Sequence, residues 1–226
     1  SVLGGRGNRE GGPSVVAAAI AGKTPEYGLH FDEERWGQVI IDTRELDLSQ
    51  LTLSDYSALG CYVGDKLSEK SPIFPYLPPS ISQEQLRFLI SPMPSAGAVR
   101  MCHVVSVTPE APTLEAALGG KEPDSKLEVG NKEIRETYEM LRTTKNDRVD
   151  LVAFGCPHCS YAFIQSVAAM LAGKKINSGV RFGVSTSEYI RSLAEKAGLV
   201  KIIERAGGLV ISSICLGFRG QFDQIE

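Results

Sequence analysis

The order of apolar segments in the last third of the chain is the feature that most constrains its fold. Apolar runs at residues 149–154, 180–184 and 209–214 predict strands, and the spacing at residues 161–171 and 187–197 predicts helices between them. Alternation of strand and helix indicates a parallel sheet, because parallel strands need a long crossover, which is usually a helix. The expected fold class is α/β, with largely parallel sheets covered by helices.

The same pattern predicts where a ligand would bind. In open parallel sheets, ligands bind beyond the carboxyl ends of the strands. Cys156, the turn at Ser185-Thr186-Ser187 and Cys215 each come at the end of one of these predicted strands. We therefore expect them to lie at one edge of the sheet.

The pattern in the first 150 residues is less regular. It predicts strands at residues 36–41 and 98–107, and helices at residues 13–21, 82–90, 109–118 and 132–141. It also indicates a mixed segment at residues 51–63, with a turn at Ser54-Asp55, and a Pro- and Ser-rich surface loop at residues 66–79. The whole chain reads as one large domain, with possible subdomains at residues 1–120 and 121–226.

Composition narrows the class of protein further. The 226 residues, 42% of them hydrophobic, are enough to bury a substantial core. The formal net charge is −3 without a long basic run, which argues against binding to nucleic acid or to a membrane surface, and no apolar stretch approaches the roughly 20 residues of a membrane span. The five cysteines are an odd number and do not form a dense framework, so we expect a reducing, cytoplasmic location.

Cys156-Pro157-His158-Cys159 is the motif with the clearest chemistry. As a pair, the two cysteines indicate a thiol–disulfide oxidoreductase; singly, Cys156 is suited to ligate iron or zinc. The interpretation as a thiol–disulfide oxidoreductase is disfavoured, because most of the chain precedes the motif and no proline follows Pro157. Zinc is disfavoured because no second ligand pair has short spacing. Cys159 alone reads as a small buried residue.

A glycine-rich loop at residues 4–12 is a second candidate site. Glycines let the backbone approach an anion, and Asn8 and Arg9 would supply a neutral and a charged donor near a helix N-terminus. A solvated loop without a ligand is the competing interpretation. Among the histidines, His103 lies in an apolar run typical of a core position, whereas His158 stands beside Cys156 near the expected ligand edge.

Several motifs run in order over nearly the whole chain: Asn8-Arg9-Glu10-Gly11-Gly12-Pro13-Ser14, Thr24-Pro25-Glu26-Tyr27-Gly28-Leu29-His30, Asp55-Tyr56 with Ala58-Leu59-Gly60, Ser95-Ala96-Gly97-Ala98-Val99 with His103, Val107-Thr108-Pro109-Glu110-Ala111-Pro112-Thr113-Leu114, Gly155-Cys156-Pro157-His158, and Cys215. Together these motifs resemble the aconitase X family.

The resemblance implies a hydro-lyase with an iron–sulfur cluster, [4Fe-4S] or [2Fe-2S], in which iron acts as a Lewis acid on the leaving hydroxyl. Its implied metal ligands here are Cys156 and Cys215. The implied substrate is a small hydroxy acid, first cis-3-hydroxy-L-proline and alternatively mevalonate 5-phosphate. The residues that would bind or surround it are Arg6, Asn8, Arg9, Glu10, Ser14, His103, Thr108 and His158.

The sequence also departs from the family pattern. Family members carry an upstream Thr-Cys-Thr-Pro-like segment with another ligand cysteine, and a small domain whose serine is thought to act as base. Neither is in this chain, and Ser213-Ile214-Cys215-Leu216 stands where the family commonly has Asp-Thr-Cys-Pro. We therefore expect an incomplete large domain that needs a small domain or subunit as partner. A non-catalytic subunit is the remaining alternative.

Overall fold

The computed structural model describes residues 1–9 and 11–212 and divides the chain into two compact units, Ser1–Thr143 and Thr144–Glu226. This boundary lies later than the predicted division after residue 120. The reason is that a strand at Ser125–Glu128 pairs with the sheet of the first unit, and the helix Asn131–Leu141 packs in the same unit.

A four-stranded parallel sheet forms the centre of the first unit. Its strands are β1 (Val39–Asp42), β2 (Pro72–Phe74), β3 (His103–Val104) and β4 (Ser125–Glu128). Their order is β3-β2-β1-β4, so the chain extends the sheet to one side of β1 and then returns to add β4 on the other side. The parallel α/β architecture confirms the predicted fold class.

The helices described in the first unit are α1 (Gly12–Ala21), α2 (Leu53–Leu67), α3 (Gln83–Ile90), α4 (Met93–Gly97), α5 (Leu114–Leu118) and α6 (Asn131–Leu141), with a 3-10 turn at Gly28–His30. Helices α2, α3, α4 and α6 contribute to a core that includes Ile41, Leu59, Phe74 and Leu89, all fully buried.

The prediction of a mixed segment at residues 51–63 is wrong, because α2 is a continuous helix. Its first turn is closed by a capping box: the Asp55 backbone N–H donates to the Thr52 hydroxyl, and the Asp55 carboxylate accepts from the Thr52 backbone N–H at 2.8 Å. Ser54 and Asp55, which looked like a turn, are therefore the start of the helix.

The prediction of a surface loop at residues 66–79 is also wrong, because β2 lies in it. Ile73 and Phe74 are fully buried, and Pro72 is the first residue of the strand, where the lack of an N–H group is tolerated. The strand predicted at residues 98–107 is much shorter in the structure, where only β3 is formed. Ala98 ends α4 in the left-handed conformation, which excludes it from a strand.

Two glycines from the family-like motifs allow α2 and its neighbouring helices to approach closely. A Cβ atom at Gly60 would lie 2.0 Å from the Leu89 carbonyl oxygen, and one at Gly97 would lie 1.6 Å from the Gly64 carbonyl oxygen. Any larger residue would clash with the backbone at these positions. Their presence is explained by helix packing.

The second unit follows the predicted alternation. Its elements are β5 (Leu151–Phe154), α7 (Tyr161–Leu171), β6 (Arg181–Thr186), α8 (Glu188–Lys196), α9 (Leu199–Ala206) and β7 (Leu209–Ser212). The strands are parallel in the order β5-β6-β7, and Ile164, Val184 and Ile203 form the buried centre. The sequence pattern missed α9. Within the described part of the chain, no helix has the length and apolar character needed to cross a membrane.

Candidate functional site

The turn that carries Cys156 lies at the carboxyl end of β5, between that strand and α7. The Cys156 side chain is exposed, and the peptide bond between Cys156 and Pro157 is cis. Cys159, three residues later, is only 7% exposed and packs in the apolar core with Ile164 and Val184. The two cysteines of the motif therefore have different environments, and the prediction that Cys159 is buried is confirmed.

Hydrogen bonds attach this turn to the end of β6. The Cys159 backbone N–H donates to the Ser185 carbonyl oxygen at 2.9 Å, and the Thr186 hydroxyl donates to the Cys159 carbonyl oxygen at 2.5 Å. Ser185 and Thr186 are both fully buried. The turn after β5 and the turn after β6 thus share one edge of the sheet, as the order of elements in the sequence predicted.

Two helices begin at this same edge, each with a serine cap. The Ser160 hydroxyl accepts from the Phe163 N–H at the start of α7, at 3.0 Å, and the Ser187 hydroxyl accepts from the Ile190 N–H at the start of α8, at 3.3 Å. Helix N-termini carry partial positive charge and favour anionic groups nearby. The edge is electrostatically suited to a thiolate ligand or an anionic substrate.

Of the other two residues predicted at this edge, the structure describes His158 but not Cys215. His158 is half-buried in the same turn as Cys156. Cys215 lies outside the described residues, three positions beyond the end of β7. Among the described residues, no group of three His, Cys, Asp or Glu side chains is arranged to hold a metal ion. Cys156 is thus an exposed thiol at the carboxyl end of β5.

In the first unit, the glycine-rich loop is held in place by its own polar side chains. Asn8 donates to the Tyr27 carbonyl oxygen at 2.8 Å and accepts from the Leu29 N–H at 2.6 Å. Gly28, between them, has φ +56°, and a Cβ atom there would lie 2.6 Å from the Asn8 side-chain oxygen. The position of the Asn8 side chain therefore requires glycine at position 28. This contact explains why Asn8 and Gly28, which belong to two different family-like motifs, occur together.

The charged and hydroxyl groups of the loop also have protein partners. The Arg6 guanidinium forms an ion pair with Asp32, and Arg9 donates to the Ala98 carbonyl oxygen at 2.8 Å. The Ser14 hydroxyl donates to the Gly11 carbonyl oxygen at 2.9 Å in the first turn of α1. Glu10 lies outside the described residues. Since a guanidinium has five N–H donors, both arginines retain donors for a ligand.

His103 and Thr108 are interior residues of the first unit, 2% and 3% exposed. His103 Nε2 lies 2.6 Å from the Arg35 carbonyl oxygen, so this nitrogen carries the proton, and Nδ1 has no hydrogen-bond partner among the described residues. Burial is the main reason that the pKa of His103 is lowered. The Thr108 hydroxyl bonds to both the N–H and the carbonyl oxygen of Val104.

The sequence pattern gave no sign of an ion pair between the buried Arg35 and the partly buried Glu110. The Arg35 side chain is 3% exposed and binds both oxygens of the Glu110 carboxylate, one of them from Nε at 2.7 Å. It also donates to the carbonyl oxygens of Leu29 and Gly5. The hydrogen bonds from Arg35 are the main reason that the pKa of Glu110 is lowered. One guanidinium thereby joins three separate segments around the loop.

A second cluster of charged side chains lies at the carboxyl end of β1, next to its neighbouring strand β4. Asp42, at the end of β1, pairs with Arg44 at 2.6 Å and with Lys126 of β4 at 2.7 Å. The Arg44 guanidinium stacks over the Tyr76 ring. Hydrogen bonds from Arg44 are the largest cause of a pKa of Asp42 well below the usual range of a carboxyl group.

Two family models match the chain, one in each unit. The aconitase X second domain matches residues 37–139, and the aconitase X third domain matches residues 149–224. The chain is also similar to the phosphomevalonate dehydratase large subunits of Methanothermobacter thermautotrophicus, at 41% identity, and Methanocaldococcus jannaschii, at 38%. Each match covers 96% of this chain and 51% or 53% of the relative.

Two further comparisons extend this set. The cis-3-hydroxy-L-proline dehydratase of Pseudomonas aeruginosa is 30% identical, over 95% of this chain and 37% of that protein. The crystal structure of Thermococcus kodakaraensis aconitase X (holo-form) matches with a TM-score of 0.84 at 35% identity, over 95% of this chain and 53% of that chain. The present chain thus spans about half the length of the large subunits that it matches.

Proposed function

This chain belongs to the aconitase X family, and we propose that it forms part of a dehydratase, a hydro-lyase that removes water from a small hydroxy acid. The observation that carries this proposal is the ordered match of two domains of that family, over residues 37–139 and 149–224. Relatives at 36–41% identity are large subunits, so we propose a small subunit as the partner of this chain as well.

We assign Cys156 and Cys215 as two ligands of an iron–sulfur cluster, [4Fe-4S] or [2Fe-2S]. The exposed thiol at the end of β5 supports the first assignment, and the position of Cys215 after β7 in the sequence supports the second. Only β6 separates β5 from β7, so the two strand ends lie about 10 Å apart, a gap that short loops can close. When bound, the cluster would supply an iron that acts as a Lewis acid toward a leaving hydroxyl group.

The residues of this chain would bind and orient the substrate. At the edge with Cys156, the N-terminus of α7 favours the negative charge of a bound thiolate, and His158 belongs to the same turn. In the glycine-rich loop, the guanidinium groups of Arg6 and Arg9 would bind a carboxylate or phosphate, with Glu10 and Ser14 in the same segment.

The remaining predicted site residues would act by positioning. Asn8 fixes the loop against Tyr27 and Leu29, His103 holds the Arg35 backbone, and Thr108 holds Val104. We assign no catalytic base to this chain; we expect it, and a third ligand cysteine, on polypeptide outside these 226 residues.

For the substrate we propose mevalonate 5-phosphate, which reverses the order expected from the sequence. The phosphomevalonate dehydratase large subunits of M. thermautotrophicus and M. jannaschii are 41% and 38% identical to this chain, whereas the P. aeruginosa and Hypocrea jecorina cis-3-hydroxy-L-proline dehydratases are 30% and 28% identical. Two arginines in one loop also suit a substrate with both a carboxylate and a phosphate.

The position of the motif weighs against a redox pair of Cys156 and Cys159. Most of the chain precedes the motif and no proline follows Pro157, whereas a thioredoxin-like domain has the motif near its start and a later proline loop. The exposed Cys156 thiol at the end of β5 argues against the alternative that this chain is a non-catalytic subunit.

The test is a chimera in which this chain replaces the matched half of the M. thermautotrophicus large subunit, purified anaerobically with that organism's small subunit. We expect the absorbance of an iron–sulfur cluster, and dehydration of mevalonate 5-phosphate in preference to cis-3-hydroxy-L-proline. Cys156→Ser should remove both the cluster absorbance and the activity, whereas the matched variant Cys159→Ser should retain the cluster.

Three results would contradict the proposal. Full cluster absorbance in Cys156→Ser would remove this residue from the ligand set. Preference for cis-3-hydroxy-L-proline would overturn the substrate assignment. A reversible disulfide between Cys156 and Cys159, with no dehydration of either substrate by a cluster-loaded chimera, would favour the oxidoreductase.

A further inference from the structure

Arg35 is a buried arginine to which the function proposed above gives no role. Its side chain is 3% exposed, and four of its five N–H groups already have partners. Two bind the Glu110 carboxylate, one binds the Leu29 carbonyl oxygen at 2.8 Å, and one binds the Gly5 carbonyl oxygen at 3.3 Å. Arg35 is therefore unsuited to bind a ligand itself, but it contacts the loop that is proposed to do so.

The glycine-rich loop is fixed at two points that flank Arg6. Arg35 holds the carbonyl oxygen of Gly5, and the Asn8 side chain accepts from the Leu29 N–H at 2.6 Å. The Leu29 carbonyl oxygen is in turn bound by Arg35. Both polar groups of the Leu29 backbone are thus held by side chains, and they connect the two points at which the loop is fixed.

The strand β3 and the segment after it support Arg35 from the other side. Glu110 accepts hydrogen bonds from two nitrogens of Arg35, a forked geometry that lysine cannot reproduce. Pro109 packs on the loop, since a Cβ atom at Gly4, whose φ is +69°, would lie 3.2 Å from the Pro109 Cβ atom. His103 Nε2 lies 2.6 Å from the Arg35 carbonyl oxygen, so the main chain of Arg35 is fixed as well.

We propose that Arg35, supported by Glu110, is a positioning residue that sets the affinity of the glycine-rich loop for an anionic substrate without touching the substrate. A loop that is ordered beforehand loses less conformational freedom when the anion binds, so the binding is tighter. This inference rests on the binding role proposed above for Arg6 and Arg9, and it adds the residue on which that role depends.

The amide of Leu29 reports on the docking of the loop, because Leu29 is buried and its N–H donates to Asn8. In the 226-residue chain, Arg35→Lys keeps a positive charge beside Glu110 but loses the fork that holds Gly5 and Leu29. We expect its Leu29 amide to exchange with solvent at least about 10-fold faster than in the parent. Glu110→Gln keeps an oxygen acceptor and removes the charge, so it should give a smaller increase, and it replaces Arg35→Lys if that variant does not fold.

Two controls separate positioning from a general loss of stability. Gly60→Ala disturbs the packing of α2 against Leu89 and so destabilises the same unit. It should leave the exchange at Leu29 within about twofold of the parent, because a loop amide exchanges through local opening rather than through unfolding of the core. Arg100→Met removes an exposed ion pair with Glu34, and it controls for the loss of a guanidinium group.

Steady-state kinetics of the chimera described above measure the effect on the substrate. Arg35→Lys should raise the KM for mevalonate 5-phosphate by at least about 10-fold and keep kcat within about twofold, because the loss of binding shared by the ground state and the transition state raises KM alone. Arg9→Met, which removes a proposed ligand donor, should raise KM as well. Gly60→Ala should leave KM and kcat unchanged.

Three results would contradict this picture, each in a different part. Exchange at Leu29 that is as slow in Arg35→Lys as in the parent, or equally fast in Gly60→Ala, would overturn the positioning role. A raised KM in Arg9→Met with an unchanged KM in Arg35→Lys would overturn this inference and leave the binding role of the loop standing. An unchanged KM in both variants would overturn that binding role and, with it, the effect of Arg35 on affinity.

Discussion

The hydroxyl of Thr186 donates a hydrogen bond of 2.5 Å to the carbonyl oxygen of Cys159, and both residues are buried. Thr186 ends β6, whereas Cys159 belongs to the turn after β5, so this bond fixes the shape of the Cys156 turn from the neighbouring strand. Packing alone does not supply that constraint, because Cys156 itself is exposed.

Removing this hydroxyl should loosen the turn. Thr186→Val keeps the shape of the side chain but deletes the donor, and we expect the free energy of unfolding of the second unit to fall by about 1–2 kcal/mol. Amide exchange at residues 155–160 should accelerate, and a thiol reagent should modify Cys156 at a changed rate. Ser178→Ala, at an exposed position, is the control. Unchanged exchange in Thr186→Val would show that the turn is held without this bond.

Removing one partner of the ion pair between Arg35 and Glu110 should strongly destabilise the first unit, because the remaining charge loses its compensation. Arg35→Met leaves the Glu110 carboxylate without its buried partner, and we expect a loss of about 3 kcal/mol in urea unfolding followed by Trp36 fluorescence. Arg6→Met removes an exposed ion pair with Asp32 and should cost less than about 1 kcal/mol. Equal losses in the two variants would contradict the assignment.

The stability of the first unit should depend on pH through His103. Burial lowers the pKa of His103 in the folded protein, so the unfolded chain binds this proton more tightly. The free energy of unfolding should therefore fall as the pH drops below about 6.5, the usual pKa of an unfolded histidine. His103→Gln should reduce the slope between pH 7 and pH 5.5, with His30→Gln as the control for loss of an imidazole. A parental slope in His103→Gln would rule out His103 as its source.

The contact of α2 with its neighbours should not tolerate a methyl group at Gly60. Alanine is favoured over glycine in a helix by about 1 kcal/mol, yet its Cβ would lie 2.0 Å from the Leu89 carbonyl oxygen. We expect Gly60→Ala to destabilise the first unit by about 1–3 kcal/mol. Gly12→Ala, where a Cβ atom meets nothing within 4 Å, should leave the stability unchanged or slightly raised. A Gly60→Ala variant as stable as the parent would show that the helices separate without cost.

Most of the second unit was predictable because each of its apolar strands is continuous and two of its helices begin at serine caps, Ser160 and Ser187. The helix α9 was missed because it begins after Gly198, without a side-chain cap. Two strands of the first unit could not be recognised in the sequence, each for a physical reason. β2 is only three residues long and starts with Pro72, which reads as a loop. β4 has the sequence Ser-Lys-Leu-Glu, without an apolar pattern, because it lies at an exposed edge of the sheet.

The candidate site was predictable only where its residues are close in the sequence. Cys156 and the turn at residues 185–187 follow from the rule for strand ends, and Cys159 follows from its apolar context. Arg35 and Glu110 are 75 positions apart, and no spacing relates them. The resemblance placed Asn8, His103 and Thr108 around one substrate, and nothing in the sequence indicated that their polar atoms also bind the main chain of this protein.

The strand order of the two sheets has a consequence for how the chain folds. In the second unit each strand pairs with the next one in the chain, so the sheet can grow stepwise as the polypeptide leaves the ribosome. In the first unit, β1 must wait for β4, since Val39 pairs with Ser125. Pairing across such a long loop is slow, because the closure entropy is lost before the contacts form. During that wait one side of β1 has unpaired backbone groups, which leaves the nascent first unit open to pairing with strands of other chains.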